Sequence, residues 1–441
     1  MTFDTTNPNG EIDVADAAAR LEQTLFEVKK VIVGQDHMVE RLMVSLLARG
    51  HILLEGLPGL AKTLAVSTLA TAVGGSFVRL QFTPDLLPSD LIGTRIWRAS
   101  DERFDIEWGP VFANLVLTDE INRAPAKVQS ALLEVMAERQ VSIGGETRAL
   151  PKPFLVLATQ NPVESEGVYT LPEAQRDRFL MKVTVGYPSP AEELEIVRRS
   201  GDGNTAPVEQ AISLDELERL QIATDNVYVD AAIANYAVDL VMATREPALR
   251  GLPELEPFID FGVSPRATLG LVAASRALAI LRGRSYVVPQ DMFDVARDVL
   301  RHRLMLSYEA LAKDLSADDI INRVLSVVPA ASISPLPHGQ TRPMAVTPPP
   351  TPAPIPATPS GTVSAPVPPP APIRNSSAAP GPGASIVAPP PPPARPSAPN
   401  PVDAAAPAAP SPAPNVATAS TPTGPAAEPT SEIPTEESDR A

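Results

Sequence analysis

The sequence predicts an α/β protein in which a parallel sheet is sandwiched by helices, followed by a small all-helical domain and a proline-rich tail. Three observations predict this fold class. Short apolar runs alternate with helical patterns over the first part of the chain, helical spacing alone continues from 191 to about 328, and most of the 52 prolines follow Ser334. Strands that alternate with helices favour a parallel sheet covered on both faces.

The elements follow from the spacing of apolar residues. Two helices are expected within 13–47, because apolar residues recur at helical spacing on either side of a break at 31–35. A first strand at 51–55 leads through a glycine-rich loop into a helix at 63–73. Further strands are expected at 76–81, 115–118, 154–159 and 179–185, with a helix at 122–137 and a hairpin turned at 143–146. The later helices are expected near 191–200, 213–224, 230–244, 265–283 and 289–303.

These patterns divide the chain into four parts. We expect a flexible N-terminus at 1–12, an α/β core at 13–187, a helical domain at 188–330 and a disordered Pro/Ala-rich tail at 331–441. Pro188 and Pro190 mark the second boundary, because neither a helix interior nor a central strand tolerates them. The tail has no aromatic residue, so it lacks the apolar mass that offsets the entropy of ordering.

The composition excludes several classes of function. A formal net charge of -16 disfavours sequence-independent binding to nucleic acid or to an anionic membrane surface. The absence of cysteine excludes disulfides and Cys-based metal sites and fits a reducing compartment. The start of the chain is polar and acidic, and no apolar run reaches about 18 residues. We therefore expect a cytoplasmic protein with neither a secretory signal nor a membrane span.

The segment after the first strand matches a phosphate-binding loop. It reads Gly56, Leu57, Pro58, Gly59, Leu60, Ala61, Lys62, Thr63 and continues into Leu64, with Ala61 where the usual pattern has glycine. Backbone N–H groups of such a loop hold phosphate oxygens, Lys62 would neutralise charge between the last two phosphates, and the Thr63 hydroxyl would bind magnesium. The segment predicts a site for ATP and Mg²⁺. An ordinary glycine turn into a helix is the alternative.

Two neighbouring strands end in polar side chains. Asp119 and Glu120 follow the strand at 115–118; Asp119 would hold the metal, and Glu120 would take a proton from the attacking water or orient it. Alternatively, the two acids only cap the following helix. Asn161 follows the strand at 154–159 and would lie at the same edge of a parallel sheet, where its amide can hold the water or the terminal phosphate. Alone, an Asn-Pro pair usually indicates a turn.

Two arginines complete the predicted site. Arg178 precedes a strand and could reach the nucleotide of a neighbouring subunit as an arginine finger. Arg266 begins a helix of the second domain and could reach the phosphates from above. In so acidic a chain, surface ion pairs are the alternative for both.

Together these residues resemble the AAA+ ATPases, and more closely the MoxR family, over about residues 12–330. The resemblance rests on the segments 56–63, 117–124, 158–162, 171–179 and 264–267. It implies that Asp119 and Glu120 form the Walker B pair, that the loop is Walker A and that Asn161 is sensor 1. It further implies that Arg178 is the finger, with Arg176 as the other candidate, and that Arg266 is sensor 2. The adenine pocket would be lined by Val33, Gly34 and Gln35.

The resemblance also implies how such a protein works. Its relatives typically form hexameric rings, with each site between two subunits, and remodel, mature or activate partner proteins, often partners that carry von Willebrand factor A domains. Residues 81–90 resemble the helix-2 insert of the family, and 141–151 the hairpin before sensor 1. The proline-rich tail lies outside the resemblance.

We therefore predict a chaperone-like ATPase that hydrolyses ATP with Mg²⁺ and acts as a homo-oligomer. One alternative is a DNA-associated motor or loader, which the acidic composition disfavours. Another is a nucleotide-switched adaptor whose tail binds proline readers such as SH3-like domains. The presence of both Glu120 and Asn161 disfavours an inactive ATPase of that kind.

Overall fold

The structure, a computed structural model, describes residues 13–162, 168–201 and 207–331. The expectations for 1–12 and for the tail after 331 lie outside these residues. The described residues all belong to one compact unit, Met1–Met344.

The first part of the chain forms a five-stranded parallel sheet with helices between its strands. The elements are α1 Val14–Val31, α2 Asp36–Leu47, β1 Ile52–Glu55, α3 Lys62–Ala72, β2 Phe77–Gln81, α4 Pro88–Ile92, β3 Gly93–Arg98, β4 Arg103–Trp108, β5 Leu115–Asp119, α5 Ala126–Glu138, β6 Gln140–Ile143, β7 Glu146–Ala149, β8 Leu155–Gln160, α6 Glu173–Arg176 and β9 Met181–Thr184. The strand order is β2-β5-β8-β1-β9, and each pairing is parallel. The carboxyl ends of β1, β5 and β8 therefore meet at one edge.

Both faces of this sheet are buried. Leu54, Leu117 and Leu157 belong to one apolar cluster with α1, α2 and α3, whereas Val116 and Val156 belong to a second cluster with α5. Successive side chains of a strand point to opposite faces, so each short apolar run contributes to both clusters. This arrangement confirms the predicted sheet between helical layers.

Two antiparallel hairpins extend from the sheet domain. β6 pairs with β7 around Gly144 and Gly145, as the sequence predicts. β3 pairs with β4 directly after α4, and this hairpin was not predicted. Its strands are largely exposed and alternate charged with aromatic residues, so they carry no run of buried apolar side chains.

The second part is mainly helical, as predicted. Its elements are α7 Pro190–Gly201, α8 Leu214–Asp225, α9 Ala231–Arg245, β10 Ile259–Phe261, α10 Pro265–Leu281, α11 Pro289–Leu300, β11 Met305–Leu306, α12 Tyr308–Ala312 and α13 Ala317–Val327. Pro265 and Pro289 take the first turn of their helices, where no N–H is needed. The short antiparallel pair of β10 and β11 was not predicted. Among the described helices, none combines the length and the apolar character that a membrane span requires.

The helix expected at 122–137 begins later than predicted. A short 3-10 turn, Ile121–Arg123, comes first, and α5 starts after Pro125 at Ala126. Proline lacks the N–H that a helix interior needs, which places it before the first helical residue. Neither Asp119 nor Glu120 caps α5, so the reading of these acids as caps of that helix is wrong.

His51 makes stability depend on pH. Its ring is buried, Nδ1 accepts a hydrogen bond from the Val156 amide at 3.0 Å, and Nε2 lies 3.2 Å from the Met136 carbonyl. Burial, reinforced by Arg139, lowers the pKa of His51 to about 4. Because the unfolded chain takes up this proton near pH 6.5, the folded state loses stability as the pH falls below that value.

Between pH 7 and pH 4.5, we expect His51 to remove roughly 2–3 kcal/mol from the free energy of unfolding. Urea denaturation at the two pH values measures the loss. The His51→Gln variant should show a smaller loss than the unaltered chain, because glutamine takes up no proton. Equal losses for the two proteins would contradict the assignment.

Candidate functional site

The loop at 56–61 joins β1 to α3 and is shaped by its backbone. Gly59 has φ 84° and Ala61 has φ 57°, both in the left-handed region. A Cβ on Gly56 would lie 2.6 Å from the Val185 carbonyl oxygen, so only glycine fits there. A non-glycine residue in the left-handed region costs energy, and such strain is concentrated at functional sites. The loop is thereby held at the N-terminus of α3, where backbone N–H groups attract anions.

Lys62 lies across the mouth of this loop. Its Nζ donates to the Gly56 carbonyl oxygen at 2.5 Å. Burial lowers the pKa of Lys62, while the carboxylates of Asp119, Glu120 and Glu55 act in the opposite direction. The Lys62 side chain thus lies within electrostatic range of the two carboxylates at the end of β5.

Asp119 is nearly buried at the end of β5 and has three partners. Its Oδ1 accepts from Thr159 Oγ1 at 3.1 Å, and its Oδ2 accepts from Arg79 Nε at 2.6 Å. Thr63 Oγ1 lies 3.5 Å from the same Oδ2. A hydroxyl and a carboxylate beside a phosphate-binding loop are oxygen ligands of the kind that Mg²⁺ takes together with substrate phosphates. The residues present therefore fit this metal.

Glu120 is presented at the same edge by an unusual backbone. Its φ is 57°, and its amide donates to Thr159 Oγ1 at 2.9 Å. The carboxylate accepts from Gln81 Nε2 at 2.7 Å and from Arg123 Nε at 2.9 Å. Thr159 thus connects β8 to both acids, and Gln81 fixes the carboxylate from β2.

One cavity of about 350 Å³ brings most of the predicted residues together. It is lined by Pro58, Gly59, Leu60, Ala61, Lys62, Thr63, Leu64, Arg79, Gln81, Asp119, Glu120, Thr159 and Asn161. Asn161 reaches it from the end of β8, as the parallel sheet predicts. Gly56 and Leu57 belong to the loop but do not line the cavity, and Leu57 packs against the apolar core.

The segment predicted to line the adenine pocket lies beside the loop. Gln35 Nε2 donates to the Gly186 carbonyl at 3.0 Å. Gly34 has φ 72°, and a Cβ there would lie 2.9 Å from Glu192. Val33 precedes them between α1 and α2. Gln35 therefore contacts the chain just after β9, and Gly34 lies against α7. None of the three residues lines the 350 Å³ cavity.

Arg178 and Arg266 lie elsewhere. Both line a second cavity of about 450 Å³, together with Arg49, Arg139 and Arg303. Arg178 is exposed and donates to the Leu133 carbonyl at 2.6 Å. Arg176 lines neither of these cavities, and its Nε has no hydrogen-bond partner. Within one chain, the geometry therefore separates both predicted arginines from the cavity beside the loop at 56–61.

Sequence reasoning missed Thr159, Arg79 and Gln81. A signal existed for each of them. Arg79 and Gln81 are two residues apart on a strand and so share one face, and Thr159 lies two residues before Asn161. The further arginines of the second cavity gave no such signal, because they come from separate elements.

Comparisons with known families agree with this geometry. Residues 51–181 match the model of the ATPase family associated with various cellular activities, and residues 255–324 match an AAA lid domain. The first range contains four of the five sheet strands, β1, β2, β5 and β8, and the residues that line the 350 Å³ cavity. The second contains α10, α11 and most of α13.

Individual relatives are similar over most of their length. "Chaperone MoxR1" of Mycobacterium tuberculosis is 57% identical over 332 residues, which cover 75% of this chain and 88% of that protein. "Protein MoxR" of Methylorubrum extorquens is 34% identical over 336 residues, covering 72% and 96%. A crystal structure of a candidate ATPase from Cytophaga hutchinsonii superposes with a TM-score of 0.69 at 46% identity, covering 72% of this chain and 97% of that one.

Proposed function

The chain belongs to the MoxR family of AAA+ ATPases, and on this premise we propose that it hydrolyses ATP to ADP and phosphate at sites shared between the subunits of a ring. One observation carries the proposal. A single cavity at the N-terminus of α3 is lined by residues from three separate parts of the sequence: Lys62, the adjacent Asp119 and Glu120, and Asn161.

ATP would bind with its phosphates in the loop. The loop amides and Lys62 offer positive charge to the phosphate oxygens. Thr63 and Asp119 would hold Mg²⁺, which when bound neutralises charge on the phosphates. Val33, Gly34 and Gln35 would contact the base from the side of Gly186.

Glu120 would act on the attacking water. A carboxylate at this edge can accept the proton or orient the water, and the Asn161 amide can hold the water or the terminal phosphate. In the structure, Gln81 and Arg123 both hold the Glu120 carboxylate. When the site becomes active, the Glu120 carboxylate would give up these two contacts and contact the attacking water instead.

The site would be completed by a neighbouring subunit. Arg178 and Arg266 face a cavity other than the one formed by the phosphate loop of their own chain. Guanidinium groups stabilise the charge of a transferring phosphoryl group, so we assign both arginines to the nucleotide of the next subunit. A hexameric ring fits this sharing and is part of the proposal.

The work of the ring would be done on other proteins. The name of the mycobacterial relative, a chaperone, supports a role in remodelling, maturing or activating partner proteins. The proposal has three further parts. The partner carries a von Willebrand factor A domain, the protein is cytoplasmic, and residues 188–330 form the lid domain.

Phosphate release by the full-length chain tests the proposal. With ATP and Mg²⁺, we expect hydrolysis whose specific rate rises with protein concentration as rings assemble, because each site needs two chains. Sedimentation over the same concentrations reports assembly. A rate that is unchanged after chelation of Mg²⁺, or a specific rate that does not follow assembly, would contradict it.

Arg79 gives a prediction about the metal. Its guanidinium pairs with the Asp119 oxygen that lies near Thr63. The Arg79 side chain is 53% exposed, so this pair is a weak one. With an uncleavable ATP analogue bound, Arg79→Met should tighten Mg²⁺ binding by roughly two- to five-fold, since the metal no longer competes with the guanidinium.

Titration of Mg²⁺ against the fluorescence of a labelled analogue measures this affinity without turnover. Gln81→Met is the matched control, because Gln81 lies on the same strand and contacts Glu120 instead. We expect it to leave the Mg²⁺ affinity unchanged. Weaker Mg²⁺ binding by Arg79→Met would show that Arg79 assists the metal.

A further inference from the structure

Asp177 lies between the two arginines of the second cavity. It follows α6 and directly precedes Arg178, and its carboxylate is largely buried. Oδ1 accepts from Arg303 Nε at 2.9 Å, and both carboxylate oxygens lie 2.9 Å from Ser264 Oγ. Arg266 Nη1 is 3.6 Å from Oδ2. The Asp177 carboxylate, next to Arg178 in the chain, therefore contacts the start of α10, where Arg266 lies.

Arg303 fixes the backbone around Arg178. Its side chain is only 3% exposed. Nη2 donates to the Phe179 carbonyl at 2.6 Å and to the Asp177 carbonyl at 3.4 Å, and Nη1 donates to the carbonyls of Leu180, at 3.1 Å, and Val299. Burial lowers the pKa of Arg303, while Asp177 raises it. The guanidinium is thus held by carbonyls on both sides of Arg178, and its charge is balanced by Asp177.

Ser264 fixes the other arginine. It is the N-cap of α10, where its Oγ accepts from the Arg266 amide at 3.2 Å. The same hydroxyl donates to Asp177. The start of α10, and with it the backbone of Arg266, is therefore tied to the residue that precedes Arg178.

The two ion pairs of Asp177 differ in strength. Arg303 is buried and close, whereas the Arg266 side chain is 58% exposed and further away. Exposed pairs are weak and exchange readily, but a buried charge needs its partner. Asp177 therefore binds Arg303 more firmly than Arg266, and the exposed Arg266 can exchange this contact for one with a phosphate.

We infer that Asp177, supported by Arg303 and Ser264, is a positioning residue that sets Arg178 and Arg266 at a fixed spacing for the nucleotide of the neighbouring subunit. This inference rests on the proposed shared site. A positioning error of about 1 Å costs roughly 100-fold in rate. Loss of Asp177 should therefore impair hydrolysis in the adjacent subunit and leave nucleotide binding in its own subunit intact.

Mixed rings test the inference. Lys62→Ala removes the phosphate contact of a chain but leaves its arginines in place. Asp177→Asn leaves the phosphate contact of a chain intact but displaces its arginines. Alone, Asp177→Asn should lower kcat by roughly 10- to 100-fold, with the affinity for a labelled ATP analogue within about two-fold of the unaltered chain. Mixed with Lys62→Ala, it should regain hydrolysis, because intact arginines then face intact loops at some interfaces.

A second mixture separates the inference from the proposed function. Arg178→Ala mixed with Lys62→Ala should also regain hydrolysis if the site is shared. If this mixture recovers and the Asp177→Asn mixture does not, Asp177 has no positioning role, although the shared site stands. If neither recovers, the shared site is wrong, and the inference fails with it.

Matched variants control for folding. Asp291 is a buried carboxylate paired with Arg282 and Arg284, away from the residues lining either cavity. Asp291→Asn should lower the thermal midpoint without lowering kcat at a temperature where the chain is folded. If Asp177→Asn does not fold, Ser264→Gly replaces it, because glycine keeps most of the capping energy and removes the link to Asp177. An unchanged kcat in a folded Asp177→Asn or Ser264→Gly ring would overturn the inference.

Discussion

Replacing Glu120 with glutamine is expected to leave ATP bound and to slow its hydrolysis by roughly 10²- to 10⁴-fold. Glutamine keeps the size of the side chain and can still contact Gln81, but it cannot accept a proton from water. Equilibrium binding of a labelled ATP analogue and single-turnover phosphate release separate the two effects. Binding should remain within a few-fold of the unaltered chain.

Glu134→Gln is the control, because Glu134 is an exposed residue of α5 outside the residues that line the cavity. It should hydrolyse ATP at the unaltered rate. Hydrolysis by Glu120→Gln at that same rate would rule out the assigned role. Held with ATP, the variant should also retain the partner protein, so a pull-down with it identifies the target.

The second large effect is expected at Arg178. Replacement by alanine should reduce hydrolysis by roughly 10³-fold, the size of effect that arginine fingers show. ATP affinity should remain nearly unchanged, because Arg178 does not line the 350 Å³ cavity beside the phosphate loop of its own chain. Steady-state kcat and KM at a concentration that keeps the ring assembled measure the effect.

Arg176→Ala is the matched control, two residues earlier and outside both cavities. We expect it to lose little activity. If Arg176→Ala loses activity and Arg178→Ala keeps it, the finger is Arg176. Loss of ring assembly in Arg178→Ala would show instead that this side chain stabilises the interface.

Much of the fold could be predicted because its strands are short apolar runs between helical patterns. The family resemblance, which the comparisons confirm, could be recognised for the same reason. Gly56, Lys62 and Asp119 lie at fixed positions relative to such strands. The hairpin of β3 and β4 could not be predicted, because its stability comes from cross-strand contacts such as Trp97 on Phe104 and not from a buried face. Sequence patterns thus predict the elements that bury an apolar run of their own, and they miss the elements that depend on contacts between exposed strands.

The site was predictable only in part. Residues of the loop and of the strand ends have a fixed spacing that the sequence displays. Thr159 and Arg79 act on Asp119 through strand pairing, which appears only once the strand order is known. The contacts of Asp177 join residues 87 and 126 positions apart in the chain. No pattern within a window of the sequence contains them.

The hydrogen bonds of Arg303 have a mechanical consequence. They connect the carbonyls of Asp177 and Phe179, on either side of Arg178, to α11, and Ser264 connects α10 to the same point. Bending at this junction would break several buried polar contacts at once, and each of them is costly to leave unmade. The junction is therefore stiff. We therefore expect a torque exerted on the arginines by a neighbour's nucleotide to rotate β9 and α10 together, so that strain collects at the boundary between adjacent chains.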